Sequence, residues 1–429
     1  MAPLMPEIEN TLKLSKRQFW MSNTISISGS IVCRLVLGPL CHKYGARRLT
    51  ALVLCAASIP SALTGTVQSV TGLYIIRGFI GIAGGAFVAS QYWMNEMFTQ
   101  GILGTAGGIA AGWGNMGGAV TQLIMGGILL PLFTKMSGGD KETAWKTVSI
   151  IPAGFAFATG ILVYNISDDT PKGNFKLSST RNNNPARTCF RGTFRLASWI
   201  LLVQYACAMG VELTMYNAGI VYYEDQFKQS PESARAITSI FGWMGIFSRG
   251  LGGYLSDEMN GRFGMRGRIW MQGIVLIIEG LTMFAFASTK SFGFSIGAMI
   301  LFSVFVKMAE GTTFAIVPYV NPLARGAVIG IVGAGGPIGG VLFNVLFHYT
   351  NVKVAFYIMA ACVGASSLLC PFIFIEDHTS CCGGVDLDLE DDYVPSWKQR
   401  ELEQMGASEQ RKDERGYSRK SEQRKEGYQ

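Results

Sequence analysis

Two arginines sit where the surrounding chain is apolar enough to lie in a membrane. Arg34 belongs to "SISGSIVCRLVLGPLCHKYGARR" (26–48) and Arg249 to "SRGLGGYLSDEMNGRFGMRGR" (248–268). A charge in hydrocarbon is costly, so such a residue is expected to have a task. A guanidinium is planar, permanently charged, and presents paired donors that match two adjacent acceptor oxygens. A small anion is one partner that fits. The bland alternative is that each arginine pairs with a buried acid or carbonyl and only ties helices together. The two segments align with each other: Arg34 falls on Arg249 at an offset of 215, Gly38 on Gly253, and His42 on Asp257. Repeat-related placement favours one shared task for both arginines.

The elements that must position them are apolar spans. The chain has 429 residues, 49% hydrophobic and 15% charged, with 53 glycines. A soluble protein carries about 25% charged residues. Of the 65 charges, 22 lie from Asp377 onward, which leaves the rest of the chain strongly apolar. Runs of about 20 residues, long enough to span a bilayer, fall near 19–40, 50–67, 70–93, 103–133, 146–166, 196–222, 236–255, 268–288, 292–320, 326–347 and 354–375. The expectation is an all-α membrane protein with about eleven visible spans. A basic loop (167–195) and a polar, disordered tail (377–429) interrupt them. Lys43, Arg47 and Arg48, the central loop, and Arg262, Arg266 and Arg268 share one face if the spans alternate, so that face is cytoplasmic and the tail lies on it. Nine cysteines show no metal or disulfide spacing, and no cofactor, metal or nucleic-acid partner is expected. No signal peptide is evident. Glu212, Glu279 and Glu310 lie in apolar helices. Each is a candidate proton carrier, or instead neutralises an arginine.

A second repeat supports the first. "GWGNMGGAV" (112–120) recurs as "GAGGPIGGV" (333–341), 221 residues on. Two parallel repeats of about six helices, joined by a long basic loop, describe major facilitator transporters. The element ending the second helix of each repeat, "GYLSDEMNGR", resembles the loop signature of that superfamily. Its first copy, "GPLCHKYGARR", has His42 in the Asp position. The first repeat shows five spans and the second six, so the expectation is a missing first helix. The bundles are expected at 1–166 and 196–376.

The paired signatures "GWGNMGGAVTQ" and "GIVGAGGPIGG", with "QYACAMGVELT" and "APLMPEIENTLKLSK", resemble the nitrate/nitrite porter family, and its fungal and algal high-affinity nitrate transporters in particular. The resemblance covers residues 1 to about 376. It implies that Arg34 and Arg249 clamp the anion, that Asn115 and Tyr205 add neutral donors, and that Phe87 stacks on the anion plane. Met209 stands where a second aromatic residue is expected, and Pro337 where asparagine is common. Nitrate is planar, monovalent and weakly hydrated, which suits a guanidinium pair and an aromatic face. Gly114, Gly117 and Gly118, with Gly335, Gly336, Gly339 and Gly340, are expected to let helices approach closely and slide. The implied protein is a multi-pass plasma-membrane transporter, not an enzyme. It imports nitrate, or nitrite, by alternating access, coupled to protons, for nitrate assimilation. The alternatives are a porter for another small anion, a non-transporting sensor, or a defective truncated product.

Overall fold

The computed structural model describes residues 4–171, 173–174, 195–376, 378 and 380–382. Most of the basic central loop and the tail from 383 lie outside these residues, as do the expectations placed on them. The N-terminal half contains α1 (Met5–Leu12), α2 (Lys16–Tyr44), α3 (Ala46–Ala62), α4 (Val70–Ile80), α5 (Ala86–Met97), α6 (Leu103–Thr121), α7 (Leu130–Met136), α8 (Lys141–Val148) and α9 (Ile150–Ile166). After the loop come α10 (Leu196–Phe227), α11 (Pro231–Trp243), α12 (Gly245–Phe263), α13 (Met265–Ser288), α14 (Phe292–Val320), α15 (Arg325–Tyr349) and α16 (Val352–Ser366). Among the described residues, ten helical segments are long and apolar enough to cross a membrane. The eleventh expected span, near 236–255, is helical as α11 and α12. Its glycines, serines and Arg249 make it less apolar than the rest, so it does not count with them.

Local signals explain where helices start and turn. Ser15 caps α2 by accepting from the Gln18 amide, while the Gln18 side chain accepts from the Ser15 amide. This reciprocal box satisfies two otherwise orphaned donors. Ser69 caps α4 in the simpler way. The α2–α3 and α12–α13 corners both turn at a glycine with positive φ, Gly45 at 87° and Gly264 at 63°. Side chains rarely adopt that conformation. The two corners are repeat-related, so the repeat extends to backbone geometry.

The halves meet along two crossings, α2 on α15 and α6 on α12. Both are built the same way. A Cβ on Gly38 would stand 2.2 Å from the Gly326 carbonyl oxygen, and one on Gly253 would stand 2.0 Å from that of Gly104. One turn away, a Cβ on Gly330 would stand 2.6 Å from the Arg34 carbonyl oxygen, and one on Gly108 would stand 2.6 Å from that of Arg249. Backbone therefore rests on backbone at each crossing. Each arginine emerges from the seam between the halves. Close approach of this kind replaces hydrophobic driving force, which lipid does not supply, with dispersion contacts.

The glycine expectation needs one correction. Gly335, Gly336, Gly339 and Gly340 do pack closely: on α10 they meet Leu202, Met209, Ala206 and Leu213. A Cβ on Gly114, Gly117 or Gly118 would meet nothing within 4 Å among the described residues. The close face of α6 is instead Gly104, Gly108 and Gly112, spaced four apart, which keeps them on one side of the helix.

Candidate functional site

Arg34 lies midway along α2 and is buried. Its Nε donates to the Gly84 carbonyl at 3.0 Å and its Nη1 to the Gly333 carbonyl at 2.5 Å. Both acceptors are available for physical reasons. Gly84 lies in a 3₁₀ stretch, Gly81–Gly85, that joins α4 to α5. Such a stretch shifts carbonyls off the α-helical ladder. Gly333 precedes Pro337 by four residues on α15. Proline has no N–H, so the bond that would occupy the Gly333 carbonyl within the helix cannot form. Arg34 takes that carbonyl. One side chain thus joins the N-terminal half, at Gly84, to the C-terminal half, at Gly333. No carboxylate forms an ion pair with Arg34 among the described residues.

Arg249, on α12, is buried more deeply and is partnered differently. Its Nη1 forms an ion pair with Glu310 of α14, and its Nη2 donates to the Tyr205 hydroxyl at 3.2 Å. The two guanidinium carbons lie 4.9 Å (Arg34) and 5.5 Å (Arg249) from the centre of one ring, Phe87. Tyr205 stacks near-parallel to Phe87 at 6.2 Å. Phe314 stands edge-on to both, 5.1 Å from Phe87 and 4.9 Å from Tyr205. Two cations and three aromatic rings thus converge between the halves. Cation–π contact stabilises each guanidinium without consuming its in-plane donors.

The structure brings Arg34, Arg249, Phe87 and Tyr205 together. Asn115 lies beside them, with its Nδ2 3.5 Å from Glu212 Oε2 and 4.0 Å from the Met209 sulfur, rather than on either arginine. Met209 lines this neighbourhood as a soft contact, and Phe314 supplies a further aromatic face. Of the three acids, Glu310 and Glu212 belong to the cluster. Glu279 does not: it is fully buried on α13, and neither carboxylate oxygen meets a donor among the described residues.

Several participants escaped sequence reasoning. Lys307, one turn before Glu310 on α14, forms a buried ion pair with Glu212. Its ammonium lies over the rings of Tyr216 and Phe241, at 5.8 and 5.3 Å. Tyr216 donates its hydroxyl to Glu212 Oε1 at 3.0 Å. "KMAEGTTF" (307–314) carries Lys307, Glu310 and Phe314 at helical spacing, and that was the available signal. The buried charges are therefore three cations, Arg34, Arg249 and Lys307, against two carboxylates, Glu212 and Glu310. The cations outnumber the acids, so this cluster carries surplus positive charge whichever acid is protonated. A cationic site walled by aromatic rings can hold a small planar anion.

At the end of the bundle that bears the α2–α3 and α12–α13 corners, the halves are latched by Asp257. It accepts from the Gly104 and Thr105 amides at 3.0 and 2.6 Å, from the Thr105 hydroxyl at 2.7 Å, and pairs with Arg268 at 2.8 Å. A carboxylate at the start of α6 also meets the positive end of that helix. The repeat-related residue, His42, instead lies 3.4 Å from the Tyr92 hydroxyl.

Comparison with known proteins fits this geometry. The family model described as Major Facilitator Superfamily matches residues 1–343 and 206–381. The chain is 33% identical over 411 residues to "High affinity nitrate transporter 2.5" of Arabidopsis thaliana, covering 94% of this chain and 82% of that one. It is 32% identical over 444 residues to "Nitrate transporter 2.2" of Chlamydomonas reinhardtii, covering 98% and 86%. It is 26% identical over 431 residues to the "Nitrate/nitrite transporter NrtP" of a Picosynechococcus strain, covering 80% of each. Among solved structures, the fold resembles the proton:xylose symporter XylE with a TM-score of 0.64 at 14% identity, covering 87% of this chain and 91% of that one. It resembles the E. coli fucose:proton symporter FucP with a TM-score of 0.66 at 13% identity, covering 87% and 94%. The repeat, the paired glycine crossings and these relatives agree: the chain belongs to the nitrate/nitrite porter family of the Major Facilitator Superfamily.

Proposed function

We propose that this protein carries nitrate across the membrane by alternating access, in symport with protons, for nitrate assimilation. The observation that carries the reading is the convergence of Arg34 and Arg249, one from each half, on the Phe87 ring. Nitrate offers three coplanar acceptor oxygens and a π face. Guanidinium donors meet its edge and aromatic rings meet its plane. Tyr205 and Asn115 supply neutral donors at the margin. A site between aromatic rings matches a planar anion and disfavours a tetrahedral one such as sulfate. Nitrite shares the charge and lacks one oxygen, and NrtP is named for both ions. Nitrite therefore belongs to the same reading as a competing substrate.

The glycine crossings support rocking of one half against the other around the arginines. In this reading the halves divide at the basic loop 167–195, with bundles at 1–166 and 196–376. The basic loops and the C-terminus lie in the cytoplasm, and the membrane is the plasma membrane. The protein is a transporter and not an enzyme.

The test is uptake of labelled nitrate by cells that lack nitrate transport and express this chain at the surface. Uptake that saturates, is competed by nitrite and is indifferent to sulfate is expected. No uptake above empty-vector cells, despite surface expression, would overturn the reading and leave a sensor or another anion as the function.

A further inference from the structure

The cluster around Arg249 contains a carboxylate oxygen that no donor reaches. Glu310 is fully buried on α14. Its Oε2 pairs with Arg249, while its Oε1 meets no donor among the described residues. The Glu212 carboxylate of α10 is held beside Glu310, because its partner Lys307 lies one turn before Glu310 on α14. Two buried acids in contact cannot both remain ionised without strong repulsion, and one shared proton removes it. Their surroundings say which acid takes it. Glu212 receives three donors: Lys307 from α14, Tyr216 from its own helix, and Asn115 from α6. They engage both of its oxygens as acceptors, so neither is left for a proton. Among the described residues the donor to Glu310 is Arg249, from α12, whose other partner is Tyr205 of α10.

We propose that Glu310 is the proton-coupling residue, that its proton sits on Oε1 and is donated to Glu212, and that protonation releases Arg249 Nη1 to the anion. This rests on the anion-carrier reading above and names the residue by which proton and anion are linked. No covalent bond changes except the O–H bond. A proton from hydronium adds to Glu310, leaving water, and its ion pair with Arg249 is exchanged for an Arg249–anion pair. Without the proton, Glu310 occupies the donor that the anion needs. Lys307 holds the Glu212 carboxylate in place so that it accepts from Glu310; it is a positioning residue. By linkage, the proton raises anion affinity by the factor by which the anion raises proton affinity.

The experiment is calorimetric titration of the purified full chain with nitrate, in buffers of differing ionisation enthalpy, so that proton uptake is counted directly. About one proton taken up per nitrate is expected for the parent, with affinity about 100-fold higher near pH 5.5 than near pH 7.5. Glu310→Gln should bind nitrate with no proton uptake and a flat pH profile. In liposomes it should exchange nitrate but not accumulate it under a pH gradient. Glu279→Gln should keep the parental proton count. If Glu310→Gln does not fold, Glu310→Asp decides, because its shorter side chain must move the pH midpoint of proton uptake. A parent that binds no nitrate would sink the substrate reading. A parent that binds nitrate without proton uptake would sink the coupling proposal alone. Proton uptake that persists in Glu310→Gln, that vanishes in Glu279→Gln, or whose midpoint is unmoved in Glu310→Asp would also overturn it.

Discussion

Replacing Arg34 by lysine keeps the charge and removes the planar fork, and the structure sets how much that should cost. Arg34 reaches two carbonyls in different directions, Gly84 through Nε and Gly333 through Nη1. A lysine ends in one compact ammonium and has no counterpart of Nε. It can hold one carbonyl or face the anion, but it cannot brace against Gly84 while presenting a donor elsewhere. A hydrogen bond from a charged group is worth about 1.5–3 kcal/mol. Losing one such bond, with the charge retained, predicts about a 10- to 150-fold loss in transport efficiency at about 1.4 kcal/mol per tenfold. The assay is initial nitrate uptake against concentration in transport-null cells, normalised to surface protein. Arg34→Gln serves as the variant that also loses the charge. Uptake by Arg34→Lys within about threefold of the parent, at equal surface level, would refute the reasoning. The site would then need only a positive point charge, and the fork geometry would be incidental.

Three further outcomes follow from packing and charge. Gly339→Ala places a methyl 1.8 Å from the Ala206 carbonyl oxygen, a backbone atom that cannot step aside, so overpacking should cost at least about 1–3 kcal/mol and lower Tm; unchanged Tm would show that α10 and α15 separate freely. Lys307→Met strands the Glu212 charge in the interior and should destabilise by about 3–5 kcal/mol, read as lost detergent stability, and adding Glu212→Gln should restore most of it; no rescue would mean that the ion pair is not the reason. Pro337→Ala returns an N–H to the Gly333 carbonyl, gains up to about 3 kcal/mol of helix propensity, and competes with Arg34, so Tm should rise while nitrate affinity changes; a rise in Tm with affinity intact would dismiss the freed carbonyl as a functional element.

The arginines were legible against their apolar neighbours and the repeat as an offset between two distant stretches, while Phe87 and Tyr205 were named only through the family resemblance. Arg34 and Arg249 stand out against apolar neighbours, and the glycines around them mark a backbone seam. The charge network was legible only in part. Glu212 and Glu310 could be named as candidates, but their contact runs between α10 and α14, and no spacing within one helix encodes it. Lys307 and Phe314 looked like parts of an apolar span. The glycines of α6 were misassigned by one face: in "GGIAAGWGNMGGAV" small residues lie all round the helix, so periodicity cannot select a side. The repeat does select one, because Gly104 and Gly108 answer to Gly326 and Gly330 across the two crossings.

The bond from Arg34 to the Gly333 carbonyl has a kinetic meaning. It spans the boundary across which the halves must swing, and with no anion present it ties them together. An unloaded carrier is thereby restrained from turning around, while an anion that draws Arg34 away loosens the restraint. Such a carrier leaks little charge when its cargo is absent. Its return journey, empty, becomes the slow leg of the cycle. Nitrate on the far side should then speed the exit of nitrate already inside. Efflux from preloaded vesicles into nitrate-containing and nitrate-free medium measures this directly, and equal rates would show that the tie costs the empty carrier nothing.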